Sequence, residues 1–376
     1  MDEAERRARR ERRERRERRE RSVQEGHDRQ VAVLEDMSAR AGGDLSMWAG
    51  LRRQAGSYLR HLGTMQLHPW YAEVTGLLDA HEAVLREWLA QADAALRPPA
   101  ADPVARADAE AGLGLRLALF GKGGSGKTVI ASTVARLLAR RGRKVLAADM
   151  DRSPGLAYSI GMRGVDVRLP LEVLEASDLA SYGWQLKTGV LPREVVRDHT
   201  VAGPDGVRVT SFGKITTVDK EAAKQTMVAL IQLLFGFGEP DWDVVADLEA
   251  GPTEPFERYH AFSDDVIVVV GPAWRSALTA RRLLPMVGEG RTITVVANRF
   301  RAEPDHPGLA PHIRIPFDPA VAQAERDGLS PLDECPDSPA IRAIEQVVDR
   351  FRGGGGRRRA WPVSGSSDSG MACGHP

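Results

Sequence analysis

Cysteine is nearly absent, with only Cys335 and Cys373 among 376 residues. The pair makes neither a C-x-x-C nor a zinc spacing, which excludes a disulfide framework and fits a reducing compartment. Net charge is absent too: 52 basic residues balance 52 acidic ones, so no global field draws the chain to nucleic acid or anionic lipid. Aromatic residues are sparse, at 6%, and no uninterrupted apolar run approaches the ~18 residues that read as a membrane span. The first residues are rich in arginine and glutamate and lack the apolar stretch of a secretory signal. These lacks set the expectation of a soluble, cytoplasmic protein, and 42% hydrophobic content suffices for a full core.

What the chain does have is centred on one stretch. The apolar run Leu115-Arg116-Leu117-Ala118-Leu119-Phe120 leads into Gly121-Lys122-Gly123-Gly124-Ser125-Gly126-Lys127-Thr128, and an apolar helical pattern opens at Val129. This is G-x-x-x-x-G-K-[ST] in the strand, loop and helix context that the pattern requires. The residues Gly121, Gly123, Gly124, Ser125 and Gly126 can curl their backbone N–H groups around phosphate oxygens at a helix N-terminus, with Val129 next in line. Lys127 reaches the β- and γ-phosphates, and the Thr128 hydroxyl suits Mg²⁺. A nucleoside triphosphate with Mg²⁺ is the expected ligand.

Around this stretch the chain divides into five segments. Residues 1–24 form a charged extension in which the first 21 hold eleven arginines against seven acids in a three-residue repeat. It has no face to bury, so a solvated or disordered extension is favoured, although Glu and Arg three or four apart would support a helix. Contact with nucleic acid or membrane through it is open but not favoured. Residues 25–97 read as a helical region, with apolar stripes from Trp48 to Leu62 and from Val74 to Ala92. Gly42-Gly43 and Gly63 bound the first stripe, and Asp44 is its candidate N-cap. His81 is expected to be packed rather than metal-binding. Residues 98–112, rich in Pro, Ala and Asp, read as a linker. Across 113–352 strand and helix signals alternate, which predicts an α/β fold with a mostly parallel sheet covered by helices on both faces. Residues 353–376 read as a disordered tail.

Acids at strand ends supply the remaining chemistry. The run Lys144 to Asp151 ends in Asp149 and Asp151, and Asp243 to Gly251 delivers Asp247. Asp247 is the candidate to hold a metal-bound water, Asp151 to orient the attacking water, and Asp149 to support either, with turn-capping as the alternative for each. The Gly251 N–H is placed to swing toward the γ-phosphate. Guanine recognition by N-K-x-D is missing, because the sequence reads Asn298-Arg299-Phe300-Arg301. Adenine is therefore expected, with Asn298 at its edge and backbone near Pro316 against the ring.

With Lys122, the loop reads K-G-G-x-G-K-T and resembles the deviant Walker A loop of the MinD/ParA family. The resemblance extends over Val145 to Gly161, Asp247-Leu248-Glu249-Ala250-Gly251, Asn298, Ile315 to Pro319 and Glu325 to Leu329, covering roughly residues 115–350. It is strongest to the branch of nickel-insertion ATPases that mature carbon monoxide dehydrogenase. It implies that Lys122 reaches the nucleotide of a second subunit, so that ATP binding forms a homodimer, with Asp151 positioning water and Asp247 as the Walker B acid. That branch carries a Cys-x-Cys pair before the Walker B strand, whereas this chain reads Thr216 to Gln225 there without a cysteine. Bacterial tyrosine kinases share a related loop but end in tyrosines, and the last tyrosine here is Tyr259. The leading expectation is an ATP-hydrolysing dimeric switch acting on a protein partner, engaged through residues 25–97 or through the switch loops. A positioning ATPase on nucleoid or membrane and a non-enzymatic ATP-binding scaffold are the alternatives.

Overall fold

The computed structural model describes residues 3–66, 69–97, 112–177, 184–212, 220–249, 260–287, 291–301 and 309–352. The expected linker up to residue 111, Gly251 and the tail from 353 lie outside the described residues. The chain begins with a helix, α1 (Glu3–Ala41), which runs through residue 24 without a break. Its first half is solvated, as expected, but helical, and arginine-to-glutamate pairs four residues apart line it from Arg7–Glu11 to Arg16–Glu20. Burial begins at Val23, where the apolar residues start.

Helix α2 (Leu45–Gln66) is capped by Asp44, whose Oδ1 accepts from Ser46 N at 2.8 Å. It passes through Gly63 instead of stopping there, because Leu62 and Met65 still have the apolar cluster to pack on. Helix α3 (Thr75–Ala95) lies against α2, and Leu34, Leu51, Tyr58, Leu78 and Leu85 close the core of this three-helix layer. His81 is packed there as expected, with its ring stacked on His27 at 3.8 Å.

From residue 116 strands and helices alternate: β1 (Arg116–Gly121), α4 (Lys127–Arg140), β2 (Lys144–Met150) and α5 (Leu156–Ile160). Gly142, at φ 79°, makes the tight turn from α4 into β2. The stretch after α5, expected to be irregular or partly helical, contains the hairpin β3 (Leu174–Ala176) and β4 (Trp184–Leu186), then α6 (Pro192–His199) and β5 (Val201–Ala202). There follow β6 (Arg208–Ser211), α7 (Lys220–Gly236), β7 (Trp242–Leu248), β8 (Asp265–Val270), α8 (Trp274–Val287), β9 (Thr292–Phe300), β10 (Ile313–Pro316), α9 (Pro319–Arg326), α10 (Pro331–Glu334) and α11 (Pro339–Arg352).

The eight-stranded sheet has the order β10-β9-β8-β1-β7-β2-β6-β5, with every pairing parallel except β5 with β6. Side-chain alternation divides the core in two. Ala118, Phe120, Val244 and Ala246 face one layer with α7 and α8, while Leu117, Leu119, Val145 and Val245 face the other with α4 and α11. Such double covering requires strands that are apolar on both faces, and β1 and β8 are buried throughout.

The helical layer docks on the sheet domain near the N-terminal ends of the central strands. Arg53 donates to Gly114 O ahead of β1, and Arg60 pairs with Asp264 ahead of β8 at 2.9 Å. Gln54 donates to Phe235 O, Arg40 grips Glu239 through two nitrogens, and Arg193 grips Asp36 likewise. Arg116 is buried and donates to Leu234 O and Phe237 O at the end of α7. Burial and the neighbouring Arg53 push its guanidinium down to about 9.

Candidate functional site

In an open parallel sheet the C-terminal strand ends form the ligand edge, and β1, β2, β7, β8 and β9 deliver their loops to one edge here. At the end of β1 the chain turns through Gly121 at φ 155°, Gly124 at φ 77° and Gly126 at φ 90°. A Cβ on Gly121 would stand 2.5 Å from Val269 O, and one on Gly126 would collide with Asn298 Nδ2. The glycines are therefore required by close neighbours as well as by dihedral angle. Gly123 and Gly124 are exposed, Lys122 is half-buried, and Ser125 and Lys127 are buried. Lys127 and Thr128 open α4, whose N-terminal end thus points at the loop.

Asp149 and Asp247 are register partners on the parallel strands β2 and β7, so both carboxyls lie on the same side of the sheet beneath the loop. Thr128 Oγ1 donates to Asp247 Oδ2 at 2.5 Å, and Asp247 Oδ1 is buried without a partner among the described residues. Burial pushes Asp247 up to about 6, against the opposing pull of Lys127 and the Thr128 hydrogen bond, with Asp151 adding repulsion. Burial pushes Asp149 up to about 7, with repulsion from Asp247 next in weight. Asp149 accepts from the Asp151, Gly155 and Leu156 amides, so both of its oxygens organise the loop after β2. That loop presents Asp151 half-buried beside the phosphate cradle, and its Oδ1 accepts from Ser153 N at 2.8 Å. Arg152 pairs with Glu249 at 2.8 Å, tying this loop to the one after β7.

On the far side of the cradle, Val129, Asn298, Arg299, Pro316, Phe317 and Glu325 line a cleft. The structure thus brings the expected base contacts, Asn298 and Pro316, together beside Val129. Asn298 Nδ2 donates to Ser125 O at 2.8 Å, fastening the end of β9 to the phosphate loop. Arg299 and Glu325 were not singled out from sequence as site residues. Arg299 adopts φ 62° and reaches Gly124 O at 3.4 Å while pairing with Glu325 at 2.5 Å. A left-handed arginine costs free energy that its fixed surroundings must offset, and only the adjacency to Asn298 hinted at it in the sequence. Among the described residues no group of three or more His, Cys, Asp or Glu side chains forms a metal cluster. The oxygen donors Thr128 and Asp247 nonetheless suit Mg²⁺, which needs few protein ligands beside substrate phosphates. Among the described residues no helix is long and apolar enough to cross a membrane.

Comparison with known proteins agrees with this geometry. The chain is 28% identical over 253 residues to an uncharacterised ATP-binding protein of Methanocaldococcus jannaschii, covering 62% of this chain and 96% of that one. It is 27% identical over 249 residues to the carbon monoxide dehydrogenase accessory protein CooC of Rhodospirillum rubrum, covering 59% and 91%. Among solved structures it resembles the septum site-determining protein MinD of Pyrococcus horikoshii in complex with Mg-ADP. That match has a TM-score of 0.46 and 19% identity and covers 62% of this chain and 94% of the other. The profile of the CobQ/CobB/MinD/ParA nucleotide binding domain matches residues 117–332, which include the phosphate loop, both buried acids, Asn298 and Pro316. The chain therefore belongs to the CobQ/CobB/MinD/ParA family of nucleotide-binding proteins.

Proposed function

We propose that the protein is a Mg²⁺-dependent ATPase in which ATP joins two copies and hydrolysis releases them, so that nucleotide state switches contact with a protein partner. The observation that carries the metal and nucleotide part is the buried, unpartnered Asp247 Oδ1 beside the Thr128 hydroxyl under a phosphate cradle. A buried carboxylate oxygen without a partner costs free energy in the empty site, and an Mg²⁺-bound water is the group that would use it. When bound, Mg²⁺ neutralises charge across the β- and γ-phosphates. The chain's own residues do the rest. Loop amides and Lys127 hold the phosphates, Thr128 and Asp247 hold the metal side, and Asp149 fixes the loop from which Asp151 orients the attacking water. The Asn298 amide, its nitrogen already donating to Ser125 O, keeps Oδ1 to accept from the adenine amino group, a pairing that guanine does not offer there. Lys122 is assigned to the nucleotide of the second copy on the resemblance of the loop. Similarity to CooC supports an ATPase that works on another protein, and the partner here is left to the helical layer, which the family match does not include.

Single-turnover hydrolysis of ATP by the purified chain, with and without Mg²⁺, tests the enzyme reading. Phosphate release that needs Mg²⁺ and is slowed about a hundredfold or more in Asp151→Ala is the expected result. Tight ATP binding with no hydrolysis under any condition would leave the scaffold reading instead.

A further inference from the structure

Where the helical layer meets the sheet domain the structure contains a mainly apolar cavity of about 170 Å³. Both units wall it: Gly26 and Val33 of α1 and Tyr58 of α2 on one side, Leu186, Val190 and Phe235 on the other. The Phe235 ring meets Tyr58 at 5.2 Å and His61 at 4.8 Å, both tilted, so an aromatic cluster borders the space. The walls are tied to one another directly. Gln54 Nε2 donates to Phe235 O at 2.7 Å, Arg29 donates to Gln185 Oε1 at 2.9 Å, and Leu186 N donates to Gln232 Oε1 at 2.8 Å. A site held in shape by its own hydrogen bonds spares a ligand the cost of ordering it.

The two cations at the walls are both engaged elsewhere. Arg29 is bonded to Gln185 and lies in the field of Glu25, Glu175 and Asp28, and burial pushes its guanidinium below the ordinary value. Lys187 is exposed and keeps its water. Among the described residues no aspartate or glutamate borders the cavity. An ion of either sign entering here would give up hydration without gaining an uncommitted partner, which is costly, whereas an uncharged apolar body gains by leaving water. An apolar cavity of about 150 Å³ holds a benzene-sized molecule, and a further ring can pack edge or face against the aromatic cluster. Concave apolar spaces at the junction of two structural units are where small ligands bind.

We infer that this cavity binds an uncharged organic molecule about the size of one ring. Touching α1 and α2 on one side and the segment from β4 to α7 on the other, such a ligand also fastens the helical layer to the sheet domain. The phosphate loop contributes nothing to these walls, so the inference stands apart from how the nucleotide is used.

Calorimetric titration of the full chain with benzyl alcohol tests this, in the presence of a non-hydrolysable ATP analogue and Mg²⁺. Saturable binding of benzyl alcohol is expected, with benzoate and benzylamine, its anionic and cationic counterparts at neutral pH, weaker by about tenfold or more. The melting temperature should rise with benzyl alcohol. Val190→Phe and Gly26→Leu fill the cavity from its two sides and should each weaken benzyl alcohol by about tenfold or more. Gly26 is suited to this because a Cβ added there would meet nothing within 4 Å. Should neither variant fold, the comparison of the three ligands decides the matter. No saturable heat, benzoate or benzylamine binding as tightly as benzyl alcohol, displacement of benzyl alcohol by the ATP analogue, or unchanged binding in the folded variants would each overturn the inference.

Discussion

Asp149 and Asp247 stand side by side on β2 and β7 with their carboxyls removed from water, and this makes the site sensitive to protons. Their folded pKa values, about 7 and about 6, lie above the ordinary carboxylate value. Protonation therefore favours the folded, ligand-free chain: the pair's contribution is full below the ordinary carboxylate pKa and is lost as pH rises through 6 and then 7. Bound cation has the opposite preference and favours the ionised forms. Affinity for Mg²⁺–ATP should accordingly fall as pH is lowered from about 8 to about 6, with protons released on binding in that window. Titration calorimetry in buffers of different ionisation enthalpy reads the release, and an affinity flat across the window would contradict it. In Asp247→Asn the ligand-free chain should melt higher at neutral pH, because a buried charge is gone, while the Mg²⁺ dependence of ATP binding disappears. Lys127→Ala should weaken ATP by roughly tenfold to a hundredfold, the range of one to two decades given by a charge-assisted hydrogen bond of about 1.5–3 kcal/mol. Asp151→Ala should leave binding intact and slow single-turnover hydrolysis about a hundredfold or more, as for a lost general base.

At the scale of elements, the legible and illegible parts separate on physical grounds. β1, the loop and α4 could be read directly, because the glycines, Lys127 and Thr128 are each required by one short-range geometry. β7, β8 and β9 could be read because strands buried on both faces are continuous apolar runs. β3, β4 and β5 are two or three residues long and are defined by their pairing, so no period announces them. The position of Asn298 against Ser125 O is likewise a contact across 173 residues of sequence that no local pattern carries. α1 was legible only from its apolar half, since the first part is held by surface ion pairs of roughly 0.3–0.5 kcal/mol each. Those pairs support a helix without anchoring it to the fold. Deleting residues 1–18, which leaves Arg19 and its contact with Glu73, should therefore remove helical circular dichroism while leaving the melting temperature of the remainder unchanged. A drop of several degrees would mean that the solvated half is docked on something the ion pairs do not reveal. Added salt should reduce the helical signal of the intact chain selectively, because exposed pairs are screened.

For the whole molecule, what matters is which surfaces are left open. The helical layer contacts Gly114 and Asp264, at the N-terminal ends of β1 and β8, so it lies away from the edge where the phosphate loop opens. On loops and helices that follow β2 and β8 at that open edge, Tyr158 and Trp274 are 52% and 54% exposed. Large apolar side chains that are exposed, among the described residues, beside the nucleotide edge favour pairing through that edge over pairing through the helical layer. A second copy arriving there would bring its Lys122, half-buried in the loop, toward the first copy's phosphates. The expected outcome is that light scattering with Mg²⁺ and a non-hydrolysable ATP analogue doubles the mass of the wild-type chain. Lys122→Ala should still bind the analogue yet remain monomeric, and its hydrolysis should fall with the loss of the dimer. Deletion of residues 1–18 should leave dimerisation unchanged, because those residues extend from the opposite layer. A wild-type chain that stays monomeric with the analogue bound would remove the trans role of Lys122, leaving an ATPase whose two loops never meet.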